Sequence, residues 1–513
     1  MRQNNTVWYQ INPSYFQQIV EQKQLMANPQ GLKFFRLVKE CLPYIKELGC
    51  KGVWLMPIYI KGSLNRKGSG SPYSVKEYQI DPHYGSEDDL KKLINEAHRL
   101  DLQIIGEYVP NHLAPDAPFL ANNAEDLVYR NQQNKPFHNQ DWTDTVKLNH
   151  SHHAIVGFTS ANLLWLSKFY GFDGFRLDMA HYPLHTTTIG VASGKGDPEF
   201  WSKILSNKAL KEKTWIAEVY DDLTQEFNGY KDHFELVKEG MIAYDKKTHD
   251  VLARKLRLNP PHQVTQEKLF VELYNQAQVS HLAGIDVKKG FFPFLRIPSN
   301  HDDCPGIKIF NGIKEYITAF QVLAFLPGHL MLYSGEEFGL KIKPSITGIN
   351  QCDELGNMLE SNQIRFVSYE EQNEINSEIK ETLRIRSSEA VFNIGATLVV
   401  NVHTKDLSPS CDIVAYARYS AELQEIIIVA ANLSNSPDKA WGQIKNFYPT
   451  FDYPTYEFNW LELLEWINPQ AAKKGYKIQN LASGETLAKI KPNEEFWVGL
   501  GAYEVQVLKI LPL

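Results

Sequence analysis

Apolar positions in the first 390 residues switch repeatedly between two periods. Across 31–48, Leu32, Phe35, Leu37, Val38, Leu42, Ile45 and Leu48 recur at helical spacing, and Gly49 follows as a cap. Residues 52–58 (GVWLMPI) are apolar on both faces, as a strand inside a parallel sheet would be. Ser86 opens a second helix, with Asp89 placed to complete a capping box, and Leu90, Leu93, Ile94, Ala97 and Leu100 carry it on. The alternation continues with strands expected at 6–11, 103–109, 171–182, 215–220, 241–244, 294–300 and 329–333. Helices are expected at 154–169, 198–205, 247–283 and 313–326. Eight such units predict βαβ connections, a parallel sheet and, at this number, a closed (β/α)8 TIM barrel. An open, doubly wound sheet is the rival, but no GxGxxG follows the first strand.

Two stretches interrupt the alternation. Residues 59–84 include a Gly- and Ser-rich loop, KGSLNRKGSGSPYS, and 113–152 form about forty polar residues of no fixed period, a length that usually marks a functional excursion. Near Phe392 the texture changes to short β-rich runs, at 397–402, 413–418, 425–432 and 497–507. These predict a separate antiparallel β-sandwich. The expected organisation is a barrel over 1–390, with 113–152 as a short excursion after its third strand, and a C-terminal β-domain over 391–513. The boundary zone is expected near 384–388.

Composition changes this picture little. The 513 residues exceed one ordinary core, and a net charge of −7 gives no nucleic-acid footprint. The five cysteines, Cys41, Cys50, Cys304, Cys352 and Cys411, are scattered without CxxC spacing, against a disulfide framework or a zinc site. No signal-peptide pattern and no membrane-length apolar run is seen, so a cytoplasmic setting and no membrane partner are expected. Ten Trp, 25 Tyr and 26 Phe suit both cores and sugar faces.

The chemistry sits at the expected strand ends. Within GFDGFRLDMAHY (171–182), Arg176 and Asp178 lie two apart on one strand and project to one face, where the cation would keep the carboxylate ionised. A structural ion pair reads the same way in isolation. However, Asn111 and His112 follow the third strand, Glu218 ends the fifth, and Asn300, His301, Asp302 and Asp303 end the seventh. Polar groups gathered at the C-terminal ends of barrel strands mark an active site.

These residues stand in four short motifs: EYVPNH (107–112), GFRLDMAHY (174–182), AE (217–218) and SNHD (299–302). In that order, the chain resembles the α-amylase family of glycoside hydrolases and transglycosylases. WYQINPSYF near the start, SPYSVKEYQIDPHYG (71–85), KLN (147–149) and YSGEEFG (333–339) extend the resemblance over nearly the whole chain. It implies Asp178 as nucleophile, Glu218 as general acid/base and Asp302 as transition-state stabiliser. Arg176 would orient Asp178, His112 and His301 would bond the reacting sugar, and Tyr73 would stack on it. It also implies retaining chemistry, with two carboxyl groups about 5–5.5 Å apart and their pKa values pushed in opposite directions. Arg176 is expected to lower that of Asp178, and an apolar setting by Trp215 and Ile216 to raise that of Glu218.

The pattern departs at Glu107, where the family usually has Asp, and at His181-Tyr182, where Lys-His is usual. The second departure bears on acceptor-side contacts and on calcium: Asn111 resembles the family's calcium-ligand asparagine, and Asp116, Asp126, Asp141 and Asp144 could supply oxygen ligands, but the loop after the third strand is short for the family's calcium-binding domain and no metal is assigned. The resemblance implies hydrolysis of α-1,4 bonds in α-glucans or maltooligosaccharides. Transfer to a sugar or phosphate acceptor, maltose–trehalose isomerisation and a non-catalytic glucan-binding role are the alternatives. Oligomeric state is not legible.

Overall fold

The computed structural model describes residues 5–66, 68–121, 124–139, 141–220, 226–258, 265–287, 291–343, 346, 363–403, 412–436, 441–449, 458–491, 494 and 496–513. Cys352 and Cys411, named above, lie outside them. Eight parallel strands close into a barrel: β1 (Val7–Ile11), β2 (Gly52–Leu55), β3 (Gln103–Tyr108), β4 (Gly174–Leu177), β5 (Thr214–Ala217), β6 (Ile242–Asp245), β7 (Phe294–Arg296) and β8 (His329–Tyr333). Each pairs with its sequence neighbours, and β8 closes on β1 with Val7 opposite Leu330.

The helices form where apolar spacing and caps coincide. Helix α1 (Phe34–Glu47) buries Phe34, Phe35, Leu37, Val38, Cys41, Leu42 and Ile45 on one face. Gly49, at φ 94°, ends it with the left-handed turn that only glycine adopts freely. Helix α2 (Glu87–Arg99) opens on the complete capping box, the Asp89 side chain accepting from the Ser86 backbone. Helix α3 (His153–Phe169) leads into β4, whose first residue, Gly174, packs so closely on β5 that a Cβ there would lie 1.9 Å from the Thr214 carbonyl oxygen.

Strand β7 is shorter than its apolar run. It stops at Arg296, and Pro298, which has no N–H to give the ladder, lies just beyond. Asn300, His301 and Asp302 therefore ride on a loop. The excursion after β3 is pinned by two small ladders. His112 pairs with Lys147, and Asn131 pairs with Val191 in a segment expected to be loop.

After helices α4 (Ile313–Phe325) and α5 (Tyr369–Ser388) comes the β-rich end. Its strands are β9 (Ala396–His403), β10 (Ile413–Ser420), β11 (Glu425–Asn432), β12 (Trp441–Pro449), β13 (Phe458–Asn459), β14 (Tyr476–Asn480), β15 (Thr486–Ile490), β16 (Phe496–Gly499) and β17 (Val505–Pro512). They form one hydrogen-bonded antiparallel network in the order β13-β12-β9-β10-β11-β17-β14-β15, with β16 on β12. Side chains alternate between two cores. Val399, Val414, Tyr416, Ile427 and Val429 join the core of the barrel and its helices. Leu398, Val400, Ala415, Ile426 and Ile428 pack with Leu463, Leu464 and Ile467 of helix α6 (Trp460–Ile467). Among the described residues no helix is long and apolar enough to cross a membrane.

Candidate active site

Arg176, on β4, is wholly buried and is the hub of the site. Its Nη1 lies 3.1 Å from Asp178 Oδ1 and also meets Glu107, while Nη2 lies 2.7 Å from Glu218 Oε1, an ion-pair contact at a poor hydrogen-bond angle. Its Nε donates to the Tyr244 hydroxyl at 3.0 Å. One guanidinium thus faces three carboxylates delivered by β3, β4 and β5. Glu107, wholly buried, uses its extra methylene to reach both Arg176 and Trp54, whose Nε1 donates at 2.6 Å. Burial raises the Glu107 pKa to about 8, against the pull of Arg176 and Trp54.

The chain turns sharply after Asp178. Met179 takes a left-handed φ of 44°, a costly conformation for a residue with a side chain. The turn points the Met179 N–H at Glu218 Oε2, 2.7 Å away. Tyr220 donates its hydroxyl to Glu218 Oε1 at 2.8 Å. The apolar surroundings expected for Glu218 are therefore replaced by Arg176 and two donors. Trp215 turns its indole to the Leu210 carbonyl instead. A second expectation also needs correcting. Arg176 does pull the Asp178 pKa down, but burial and the neighbouring Glu218 charge outweigh it, and the carboxyl lies well above its ordinary range.

His301 closes the far side. Gln10 meets its Nδ1 at 2.9 Å, and its Nε2 lies 2.6 Å from the Tyr73 hydroxyl and 3.1 Å from Asp302 Oδ2. The Tyr73 ring is buried and stacks on His301 at a centroid distance of 5.5 Å. The Asp302 side chain keeps 44% of its surface exposed. Asp303 pairs with Lys246 at 3.1 Å.

His112 has a defined proton. Lys147 Nζ donates to Asn111 Oδ1 at 2.6 Å, which turns the Asn111 amide nitrogen toward His112 Nδ1 at 3.2 Å. Nδ1 therefore accepts, and Nε2 carries the hydrogen, buried and interacting with the Tyr73 backbone. Burial and Lys147 push the His112 pKa down to about 3, so the ring is neutral.

The same lysine bears on calcium. A cation at Asn111 would need the oxygen that Lys147 already holds, and burial lowers the Lys147 pKa to about 7. Of the other oxygen donors, Asp116 takes Ser63 and Lys76, Asp144 accepts from the Ser71 N–H at 3.4 Å, and Asp126 and Asp141 are exposed. Among the described residues no three His, Cys, Asp or Glu side chains form a cation cluster. These residues do not fit a calcium ion at Asn111.

All seven residues singled out for the site, Tyr73, His112, Arg176, Asp178, Glu218, His301 and Asp302, thus lie at the C-terminal mouth of the barrel. Sequence reasoning missed Trp54, Tyr220 and Tyr244. Tyr220 had a signal, standing two residues beyond Glu218, whereas Trp54 and Tyr244 read as core strand residues.

The molecule is thus a closed parallel barrel whose C-terminal mouth gathers three carboxylates around one buried arginine. Residues 28–155 match the model of the α-amylase catalytic domain. Alpha-amylase 3 of Dictyoglomus thermophilum is 28% identical over 331 residues, covering 58% of this chain and 59% of that protein's length. A noncanonic maltogenic alpha-amylase from Thermotoga neapolitana superposes with a TM-score of 0.68 at 18% identity, covering 100% of both chains. The alpha-amylase of Geobacillus thermoleovorans, solved with acarbose, gives 0.66 at 17% identity over 98% of each. The chain is thus similar to the α-amylase family in sequence over part of its length and in fold over nearly all of it.

Proposed function

We propose that this chain is a retaining α-glycosidase that hydrolyses α-1,4-glucosidic bonds in α-glucans or maltooligosaccharides, with residues 1–390 as its catalytic unit. The observation that carries this reading is the single guanidinium of Arg176 touching both Asp178 and Glu218. Double displacement requires two carboxyl groups on one anomeric centre, one attacking and one exchanging the proton of the leaving oxygen. Asp178 attacks and forms the glycosyl ester, and Glu218 protonates the departing oxygen and then deprotonates the incoming water. Asp302, the most exposed of the three, bonds sugar hydroxyls. His112 lies beside the same sugar, and Tyr73 and His301 form one wall of its subsite. The acarbose complex of the Geobacillus protein supports an oligosaccharide as the ligand class.

A second reading, transfer of the glycosyl group to another sugar, is favoured by one feature. Half-buried Tyr182 stands where the second motif departs from the family pattern, and its ring lies 6.2 Å from Trp142 of the excursion. Such a pair offers an acceptor sugar a stacking surface.

Incubation with maltooligosaccharides and analysis of early products separates the two. Shorter products alone are expected for hydrolysis, whereas longer oligosaccharides at early times would establish transfer. Asp178→Asn should retain the fold by circular dichroism and lose turnover by at least about a thousandfold, in line with loss of a covalent nucleophile. Unchanged activity in that variant would overturn both readings.

A further inference from the structure

Glu218 is held from both of its carboxyl oxygens. Its Oε2 accepts the Met179 N–H at 2.7 Å, and its Oε1 accepts the Tyr220 hydroxyl at 2.8 Å. Arg176 brings charge to Oε1 but little direction, since its Nη2 makes no hydrogen bond of good angle there. Among the described residues, Tyr220 is therefore the one well-oriented partner of Oε1.

The two donors differ in kind. An amide N–H only donates, whereas a phenol oxygen both donates and accepts. With Glu218 ionised, the hydroxyl must donate, because a carboxylate offers only acceptors. With a proton on Oε2, Oε1 is still an acceptor and the same bond remains. With a proton on Oε1, the phenol oxygen accepts it. The Tyr220 contact is thus compatible with every protonation state of Glu218. Tyr220 is itself fixed. Its ring meets that of Tyr244 edge-on, with centroids 6.5 Å apart and planes at 85°. Tyr244 is buried, and its hydroxyl accepts from Arg176 Nε at 3.0 Å. The contacts close a circuit from Arg176 through Tyr244, Tyr220 and Glu218 back to Arg176. Burial and the charges of Glu218 and Asp302 push the Tyr220 pKa up, so the phenol keeps its hydrogen.

We infer that Tyr220 is a positioning residue that holds the Glu218 carboxyl in one orientation while it gives up and regains its proton. This rests on the acid/base role proposed for Glu218. In the first half-reaction the bond from C1 to the leaving oxygen breaks, that oxygen takes the Glu218 proton, and an Asp178 oxygen bonds C1. In the second, a water oxygen bonds C1, Asp178 departs as a carboxylate, and a water proton returns to Glu218. Tyr220 enters neither bond change and ends each half-reaction with its own hydrogen.

Tyr220→Phe, which keeps the ring against Tyr244, tests this with two substrates. Maltotriose needs its leaving oxygen protonated, and α-maltosyl fluoride does not. The variant should lose about ten- to a hundredfold in kcat/KM on maltotriose, carried by kcat, and less than about twofold in kcat/KM for fluoride release. Across a series of aryl α-maltosides, its rate should depend more steeply on leaving-group pKa than the parent's. Glu218→Gln is the control, expected to lose maltotriose turnover and keep fluoride release. If Glu218→Gln slowed both substrates alike, the acid/base reading would fall and this inference with it. With that control as expected, Tyr220→Phe would overturn the inference alone by slowing both substrates equally, by raising only the KM for maltotriose, or by changing neither.

Discussion

Arg176 concentrates the chemistry of the mouth in one side chain, and its sharing among three carboxylates has a consequence for pH. In the proposed mechanism Asp178 must be ionised to attack, yet burial and the adjacent Glu218 hold its pKa above the ordinary range. Activity is therefore present above that raised pKa and lost as pH falls through it, and kcat/KM, which reports the free enzyme, should show the acid limb. Glu218→Gln removes the neighbouring negative charge. With a glycosyl fluoride, whose leaving group needs no protonation, this variant should retain the first step and show its acid limb at lower pH than the parent. A limb that stays in place would mean that Glu218 does not set the Asp178 environment. Lys147 supplies a second test. Met at this position leaves Asn111 Oδ1 buried without a donor, a cost of about 1–3 kcal/mol. The parent lysine carries its own penalty, because its pKa falls from 10.5 to about 7 on folding. The unfolded chain then takes up the proton first, and the parent loses stability as pH falls from about 10.5 to 7. The deficit of Lys147→Met, followed by thermal unfolding, should be largest near pH 10 and shrink toward pH 7. The charged residues themselves were legible, since a strand has no packing reason to hold Arg176, Asp178 or Glu218. Their electrostatic balance was not, because it depends on the Met179 backbone N–H and the Tyr220 hydroxyl converging on Glu218, contacts that no motif encodes.

At the scale of elements, the barrel strands were readable from the two apolar periods, while their C-terminal ends and the loops that hold the site were not. The loop after β7 shows why. Its shape is set from β8 onward: Lys343 donates to the Asn300 carbonyl and Glu336 accepts the Gly306 N–H at 3.1 Å. Asn300 in turn accepts the N–H groups of Asp302 and Asp303 at 2.8 and 2.9 Å. Lys343 and Glu336 are both buried, and their pKa values move toward each other, to about 8 and about 7, through burial. No local sequence rule links residue 343 to residue 300, so this clamp appears only in the fold. Its removal should act on Asp302 without touching substrate. Lys343→Met is expected to lower kcat/KM by about ten- to a hundredfold, the cost of a misplaced group that acts in the transition state. Lys343→Arg, which keeps a donor and a charge, should recover part of that loss. If the Met variant loses only thermal stability and keeps its kcat, the clamp is structural alone.

At the scale of the whole molecule, the change of texture near Phe392 is followed by the strands of the C-terminal sheet, which pack on the barrel. The β-sheet shares one of its faces with the barrel. Val399, Val414, Tyr416, Ile427 and Val429 belong to the barrel's own core, and burying side chains of this kind contributes about 1.5–3 kcal/mol each. Five of them rival the typical net stability of a domain, about 5–15 kcal/mol. Polar ties reinforce the face. Tyr416 donates to the Val322 carbonyl at 2.7 Å, Lys255 meets Asp412 at 2.6 Å, and Thr318 donates to the Tyr503 carbonyl at 2.6 Å. Buried Arg418 reaches the carbonyls of Phe325, Val391 and Gly395, and its pKa drops to about 9 through burial and the nearby Arg386. These contacts cross the junction from both sides, so the two parts should unfold together. Calorimetry of the intact chain is expected to show a single transition. A chain ending at residue 390 would leave the apolar side of helix α4 and the Phe325 carbonyl held by Arg418 open to water, and should be recovered unfolded or aggregated. A monodisperse, active 1–390 fragment, or two resolved transitions in the intact chain, would show that the shared core is dispensable and that the barrel stands by itself.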